Sequence, residues 1–193
     1  MLSFKLGNTT VHLWPLIVVL LVVVLGVIIR AVWLSNRNKK MIELCRAGKY
    51  NQSISIAAKQ LNYYQRVIKL SKNGHTQSIM DILHLYLAIS YFGLSNDNLF
   101  IQNISLVDEN NSEKHFWLAL FYLLKNNLNE FQQHYDILSS KEISADYLSY
   151  LTALKKHQEG NDSEARDALS ALYSKLNFSL LKDISKRIIE QQN

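Results

Sequence analysis

Residues 16–29 read LIVVLLVVVLGVII, an unbroken run of Leu, Val and Ile that contains one glycine. In the wider segment 13–34, which has 22 residues, Arg30 is the only ionisable side chain. A helix rises about 1.5 Å per residue, so this segment would reach roughly 33 Å, close to the hydrocarbon thickness of a bilayer. The sequence therefore predicts a transmembrane helix over residues 13–34, preceded by a short N-terminal tail over residues 1–12.

The flanks of this run carry side chains that favour a membrane interface. Trp14 and Trp33 lie near its two ends, and indole rings prefer the headgroup region. Arg30 lies about one turn from the end, where its long stem can carry the guanidinium to the interface. A basic cluster follows the span, formed by Arg37, Lys39 and Lys40. We predict that all six residues lie at the interface, with the basic cluster acting as a topology determinant.

The direction of the span follows from its flanking charges. A cleaved secretory signal is the alternative, but the apolar run is long, only Lys5 precedes it and no small-residue cleavage site follows it. Lysine and arginine are far more frequent after the span than before it. The positive-inside rule then predicts a single-pass protein with its N-terminus outside and residues 35–193 in the cytoplasm.

The net charge of the chain, +5, belongs to the membrane flank rather than to the remainder of the protein. The first 50 residues hold seven basic side chains against one glutamate, a net charge of +6, which leaves −1 for residues 51–193. Nucleic-acid binders need a cationic surface that residues 51–193 lack, so we expect no nucleic-acid partner. Cys45 is the only cysteine, so no disulfide can form within the chain.

The composition favours an all-α fold. The chain has one proline and six glycines, so helices have few interruptions, and short Asn, Ser and Gly turns are the natural connections between them. The pattern indicates no strand pair. We therefore predict that residues 35–193 form one α-helical domain.

Residues 46–54, RAGKYNQSI, resemble the turn between the two helices of a tetratricopeptide repeat. In that family a glycine closes the first helix, an aromatic residue follows two positions later, and a small residue lies three positions further on. Gly48, Tyr50 and Ser53 match this order. Residues 159–165, EGNDSEA, repeat the form with Gly160 and Ala165.

Two weaker copies lie between these segments, with turns at residues 95–98 and 126–127. The turn positions 48, 95, 126 and 160 are 47, 31 and 34 residues apart, and the family period is 34. The longer first gap fits an extended second helix and a linker at residues 71–76. The resemblance thus implies a short solenoid of about four helical hairpins, followed by a terminal helix at about residues 176–191.

The chain departs from the family pattern in several places. It has no proline between repeats, and Arg37, His84, His115 and Ser149 stand where an early tryptophan is expected. Phe100 and Phe131 occupy positions where a small residue normally allows the helices to approach. An irregular helical bundle without a true repeat is the alternative interpretation, and it has the same fold class.

The resemblance also implies a binding groove, which the first helix of each hairpin lines. The residues that it assigns to this groove are Ile82, Leu85, Ile89, Phe92, Phe116, Leu120, Leu124, Tyr147, Tyr150, Leu154 and His157. Such an apolar and aromatic groove suits an amphipathic helix or peptide segment of a protein partner. The alternative is that the chain fills the groove itself, with residues 61–70 or with the C-terminal helix around residues 178–184.

No motif indicates catalysis. The six histidines form no His-Glu-x-x-His pair, one cysteine cannot make a Cys-x-x-Cys site, and phosphate-binding and dinucleotide fingerprints are absent from the sequence. We expect no enzyme activity, no catalytic or metal site, no cofactor and no small-molecule substrate. The predicted function is a membrane-anchored protein-binding adaptor or assembly factor. The alternative is a structural or regulatory subunit of a membrane complex that acts mainly through its transmembrane helix.

Overall fold

The computed structural model describes residues 3–6, 9–12, 14–70, 74–141 and 145–190. Of the linker predicted at residues 71–76, residues 71–73 lie outside these ranges, and the prediction is wrong for residues 74–76, which belong to a helix. The chain divides into two compact units, Met1–Lys40 and Met41–Asn193, and each is described by itself.

The first unit opens with two short antiparallel strands, β1 (Ser3–Leu6) and β2 (Thr9–His12), in which Phe4 pairs with Val11. The sequence did not indicate this hairpin, because strands of four residues carry little alternation to detect.

Helix α1 runs from Trp14 to Arg46, a length of 33 residues. Its segment from Leu16 is long and apolar enough to cross a membrane, and none of the most apolar stretch is buried within the structure. The prediction of such a helix is confirmed. Membrane insertion and its direction stay predictions.

The second unit is built from the end of α1 and eight further helices in the described ranges. These are α2 (Tyr50–Leu70), α3 (Gly74–Gly93), α4 (Asp97–Ile104), α5 (Ser112–Leu124), α6 (Leu128–Ser139), α7 (Ala145–Gln158), α8 (Asp162–Leu172) and α9 (Ser179–Glu190). A single 3₁₀ turn, Tyr173–Lys175, follows α8. The helical fold class is thus confirmed, and so is the extended second helix, since α2 has 21 residues and α4 has eight.

Four tight turns divide these helices into pairs: α1–α2, α3–α4, α5–α6 and α7–α8. The turn residues have positive φ angles, and they are Gly48 (75°), Ser95 (57°), Asn126 (57°) and Gly160 (83°). These are the four turn positions that the sequence predicted. A left-handed residue lets the chain reverse at the end of a helix, and glycine adopts that conformation without a steric penalty.

The four turns also share one hydrogen-bond pattern. The N–H of the turn residue donates to the carbonyl three residues back, and the next N–H donates to the carbonyl five residues before it. At the first turn these bonds are Gly48 N to Cys45 O, 3.0 Å, and Lys49 N to Leu44 O, 2.8 Å. At the fourth turn they are Gly160 N to His157 O, 3.1 Å, and Asn161 N to Lys156 O, 2.9 Å. Repetition of this Schellman arrangement makes the four helical hairpins locally equivalent.

Equivalent positions around the turns are buried in every hairpin. Seven residues before the turn stand Met41, Ala88, Ala119 and Ala153, and five residues after it stand Ser53, Phe100, Phe131 and Ala165, all no more than 1% exposed. The large Phe100 is accommodated in an aromatic cluster. Its ring centroid lies 5.1 Å from that of Phe92 in α3 and 4.8 Å from that of Phe121 in α5. The solenoid arrangement of the hairpins stays a prediction.

The C-terminal helix begins later than predicted. Leu176 has an extended conformation, with φ −69° and ψ 126°, so the chain is not helical between the 3₁₀ turn and Ser179. The predicted end at residue 191 lies outside the described residues.

Candidate partner-binding face

The predicted groove residues differ widely in their exposure to solvent. Six are at most 2% exposed and form part of the core: Leu85, Ile89, Phe116, Leu120, Tyr150 and Leu154. Three are half-buried: Phe92, Tyr147 and His157. Only Ile82 and Leu124, with 39% and 43% exposure, are open to solvent. We call the surface formed by these eleven residues the inner face.

The C-terminal segment Leu176–Ile188 packs against the hairpins, and we call it the closing segment. Phe178 is 2% exposed. Its ring centroid lies 5.0 Å from that of Trp117 in α5 and 6.4 Å from that of Tyr86 in α3. The guanidinium carbon of Arg46, at the end of α1, lies 5.5 Å from the centre of the same ring. Phe178 therefore joins the first three hairpins.

The closing segment also contacts the first and fourth hairpins through polar groups. The Tyr150 hydroxyl in α7 donates a hydrogen bond of 3.1 Å to the carbonyl of Leu181. At the first turn, a Cβ added to Gly48 would lie 2.7 Å from the Ser179 hydroxyl oxygen. The closing segment thus contacts the inner face at Tyr150, and the filling of the whole groove by the C-terminal helix stays a prediction.

One cleft remains open where α9 meets α5 and α7, with a volume of about 360 Å³. Leu124, Leu154, Ile184 and Ile188 are among its apolar walls. His157 lies at its edge, where its Nδ1 is 2.6 Å from a carboxylate oxygen of Asp162. This cleft provides an apolar surface beside the closing segment.

A second cleft, of about 410 Å³, lies where the end of α1 and helix α3 meet the start of α5. Ile42, Ile82, Leu85 and Tyr86 form its apolar side, and Glu113 lies on its polar side. We call it the Glu113 cleft. It combines exposed apolar surface with one acidic group.

Glu113 is held in place by the start of helix α5. The Asn111 side chain caps this helix, because its oxygen accepts hydrogen bonds from the backbone N–H groups of Glu113, 2.9 Å, and Lys114, 3.2 Å. Burial raises the pKa of the Glu113 carboxyl group, and the charge of Arg46 opposes this only in part. In the described residues, the Glu113 carboxylate forms no ion pair within 4.0 Å and no side-chain hydrogen bond.

The acidic group also affects its neighbours. Burial raises the pKa of Tyr86 to about 12, with the negative charge of Glu113 as a further cause. Burial and then Glu113 likewise raise the pKa of Tyr147. Both phenols therefore remain protonated at neutral pH and can act as hydrogen-bond donors beside the carboxylate.

A separate polar cluster fixes the connection between α4 and α5. Lys114 is only 2% exposed, and its ammonium group donates to the carbonyl of Val107, 2.8 Å, and pairs with the Glu109 carboxylate, whose pKa it lowers. His115 Nε2 donates to the carbonyl of Glu109, 2.7 Å, and its Nδ1 lies 3.1 Å from Nδ1 of His134. Because these groups satisfy one another, the cluster is structural.

The described residues include no group of three or more His, Cys, Asp or Glu side chains that is placed to hold a metal ion. The sole cysteine, Cys45, is 1% exposed, and burial raises its thiol pKa to about 11. Its sulfur accepts a hydrogen bond of 3.4 Å from the Ser90 hydroxyl. The thiol is therefore a core group.

The predicted membrane-interface residues all lie on α1. Trp14 and Trp33 are 63% and 53% exposed, and the guanidinium carbon of Arg37 lies 4.7 Å from the ring centre of Trp33. Arg30, Lys39 and Lys40 occupy the same helix. Their contact with lipid stays a prediction.

Sequence reasoning missed Arg46 and Glu113. Glu113 follows Asn111 and Ser112 at the start of a helix, where an acidic residue is common for reasons of helix stability alone. Only the packing of α1 and α3 against this helix start places its carboxylate in a cleft.

A scan against known protein families finds no match for this chain, and neither a curated protein nor a solved structure matches it.

Proposed function

We propose that this protein is a membrane-anchored adaptor or assembly factor whose tetratricopeptide-like solenoid binds a helical or peptide segment of a protein partner. Four equivalent turns, with buried residues at equivalent positions around them, support the solenoid. The observation that carries the proposal is the contact between the amphipathic helix α9 and the inner face at Tyr150. A surface that accommodates one such helix suits recognition of another.

The side chains of α9 indicate the kind of segment that the face accepts. Leu181, Ser185 and Ile188 are buried against the other helices, at the spacing of one helix face, whereas Asp183 and Lys186 are exposed. The partner segment would contact the residues that α9 leaves open, Leu124 in one cleft and Ile82 in the other.

The anchor is part of the proposal. We infer that α1 crosses the membrane once, with the N-terminus outside and the helical domain in the cytoplasm, since the basic residues are concentrated after the span. Confinement to a membrane raises the effective concentration of a partner in the same membrane. A modest binding surface is then sufficient.

The proposal is tested by affinity capture of the full chain from detergent-solubilised membranes of cells that express it naturally. Leu124→Asp places a charge in the first cleft, whereas the matched control Leu106→Asp places one on a loop outside both clefts. Both leucines are exposed, 43% and 54%, so neither change disrupts the core. We expect Leu124→Asp to deplete the partner about tenfold, as for loss of one interface contact, and the control to retain it. A set of captured proteins that is the same for both variants would contradict the proposal.

The alternative function, a subunit that acts mainly through its transmembrane helix, is favoured by one observation. The apolar side chains of α1 are exposed on all sides, so they are open to contact with other spans. Replacing residues 16–34 by an unrelated apolar helix of equal length separates the two functions. Activity in complementation should survive under the adaptor proposal and be lost under the alternative.

A further inference from the structure

Glu113 is half-buried in a cleft and has no cation in contact with it in the described ranges, whereas several other acidic residues of the helical domain have one. Glu109 pairs with Lys114, Glu164 with Lys156 and Glu190 with Lys186. Within the described ranges no such partner lies within 4.0 Å of Glu113, although it is half-buried. A carboxylate in this environment has lost part of its hydration without gaining an ion pair.

The nearest cation that acts on Glu113 is Arg46, and it is already engaged elsewhere. Its guanidinium lies over the ring of Phe178, and its charge also acts on the Tyr86 hydroxyl, whose pKa it lowers in part. Burial raises the pKa of Glu113 and the charge of Arg46 lowers it, and the net shift is upward because the effect of burial is larger. Arg46 therefore offsets only part of the free-energy cost of burying the charged Glu113 carboxylate, and a second cation beside it would be favourable.

The closing segment does not supply that charge. Lys182 lies over the ring of Tyr173, 6.0 Å from its centre, Lys186 pairs with Glu190, and Arg187 lines the other cleft. The basic residues of α9 thus point away from the Glu113 cleft. This part of the inner face remains unoccupied by the described chain.

We propose that the Glu113 cleft binds a lysine or arginine side chain of the protein partner, with Glu113 as the residue that selects it. This inference rests on the proposed adaptor function and names the chemistry of its partner. The carboxylate accepts charge-assisted hydrogen bonds from an ammonium or guanidinium group. The apolar walls at Ile42 and Ile82 pack against the aliphatic stem of that side chain and against its apolar neighbours on an amphipathic helix.

The occupant is a protein segment because the cleft adjoins a place where the chain's own closing segment packs on the hairpins. Tyr86, which lines the Glu113 cleft, stacks on Phe178 of the closing segment, with 6.4 Å between the ring centroids. An amphipathic helix presents both a cation and apolar residues at adjacent positions, which matches the mixed lining of the cleft.

The test uses a photo-crosslinking amino acid, p-benzoylphenylalanine, introduced at the exposed residue Ile82 of the full chain in cells that express it naturally. The crosslinked peptide is identified by mass spectrometry. We expect a protein segment with a lysine or arginine within one helical turn of the crosslinked residue. Glu113→Gln should lower the yield about tenfold, because truncating one member of an interface ion pair weakens binding by at least this factor.

Glu130→Gln is the matched control, since Glu130 also lies in the first turn of a helix, α6, but outside both clefts. It should leave the yield unchanged. A charge exchange completes the test: Glu113→Lys should abolish the crosslink, and a change of the partner's basic residue to glutamate should restore it. Restoration also shows that the variant is folded.

Three results would overturn the inference: a crosslink to a lipid, a crosslinked segment without a basic residue, or a yield that Glu113→Gln leaves unaltered. A second crosslinking position, Leu124, separates this failure from that of the adaptor function. If Leu124 captures a partner helix and Ile82 does not, only the role of Glu113 is wrong. If neither position captures a protein, both proposals are wrong.

Discussion

The ring of Tyr50 lies against Gly93 so closely that a Cβ at residue 93 would approach the ring to 2.3 Å. Tyr50 is the first residue of α2, and Gly93 is the last residue of α3. Because Gly93 has no side chain, Tyr50 of the first hairpin can pack directly against the end of α3. The contact explains why the chain has glycine at a position where φ is ordinary.

We predict that Gly93→Ala lowers the free energy of unfolding by about 1–3 kcal/mol, because the added methyl group must displace the Tyr50 ring. Gly74→Ala is the control, since nothing lies within 4 Å of a Cβ at that position. Denaturant unfolding of the full chain in detergent, followed by circular dichroism, gives both values. The double variant Tyr50→Ala, Gly93→Ala should lose less than the sum of the single changes. Strict additivity would mean that the two residues do not meet.

Gly48 and Gly160 offer a matched test of the closing segment. Both have a positive φ, so alanine at either position carries the same left-handed strain of about 1–2 kcal/mol. Only at Gly48 would the new Cβ also meet the Ser179 hydroxyl oxygen, at 2.7 Å, whereas nothing lies near Gly160. We expect Gly48→Ala to be the more destabilising change in thermal unfolding. Removal of the obstructing oxygen by Ser179→Ala should reduce the difference. Equal effects of the two alanines would argue against contact between α9 and the first turn.

Ser95 carries a positive φ of 57° without being glycine. Ser95→Gly should therefore raise the free energy of unfolding by about 1 kcal/mol, because glycine adopts this conformation without strain. Ser105 is the control, since its φ of −66° is right-handed. There the same change should destabilise the protein, because glycine has more freedom to lose on folding. Melting temperatures of the two variants should move in opposite directions, and a shift of both in the same direction would contradict this explanation.

The turns were predictable from the sequence because their signals are local. Gly48 and Gly160 each lie at the end of a helix, and the residues beside them complete a recognisable turn motif. Asn126 has a side chain that tolerates the left-handed conformation. The longer α2 was likewise indicated by the spacing of the turns. The order of helices and their connections thus follow from short segments.

The occupation of the inner face was not predictable to the same degree. Its contacts join residues far apart in the chain, such as Ser179 with Gly48 and Leu181 with Tyr150. The family resemblance assigned Leu120 and Tyr150 to an apolar face, but it does not tell whether such a face meets a partner or the chain's own helix. Both are fully buried, so a charge at either position would unfold the domain rather than test binding.

His134 makes the stability of the domain depend on pH. Burial, and then the neighbouring His115, lowers its pKa from 6.5. Between 6.5 and the lowered value, the unfolded chain binds a proton that the folded chain does not, so stability falls as the pH falls through this window. His134→Gln removes this contribution. Glu113 and the other titrating groups are common to both chains, and their contributions cancel in the comparison.

We therefore expect the wild type to lose more stability than His134→Gln when the pH is lowered from about 7.5 to about 5.5, a range that brackets the ordinary histidine pKa. Denaturant unfolding at the two pH values measures the difference. Parallel losses in the two proteins would show that His134 titrates normally in the folded state.

We propose that α1 anchors the helical domain on the cytoplasmic side of a membrane, and cysteine accessibility in intact cells is the most direct test. Single cysteines at Ser3 and at the exposed Ser174 are labelled with a membrane-impermeant thiol reagent, with the wild type as control, since its only thiol, Cys45, is 1% exposed. We expect the reagent to label only Ser3→Cys until the membrane is opened, after which Ser174→Cys also reacts. Labelling of Ser174→Cys in intact cells, with Ser3→Cys protected, would place the helical domain outside the cell and show that the proposed orientation is wrong.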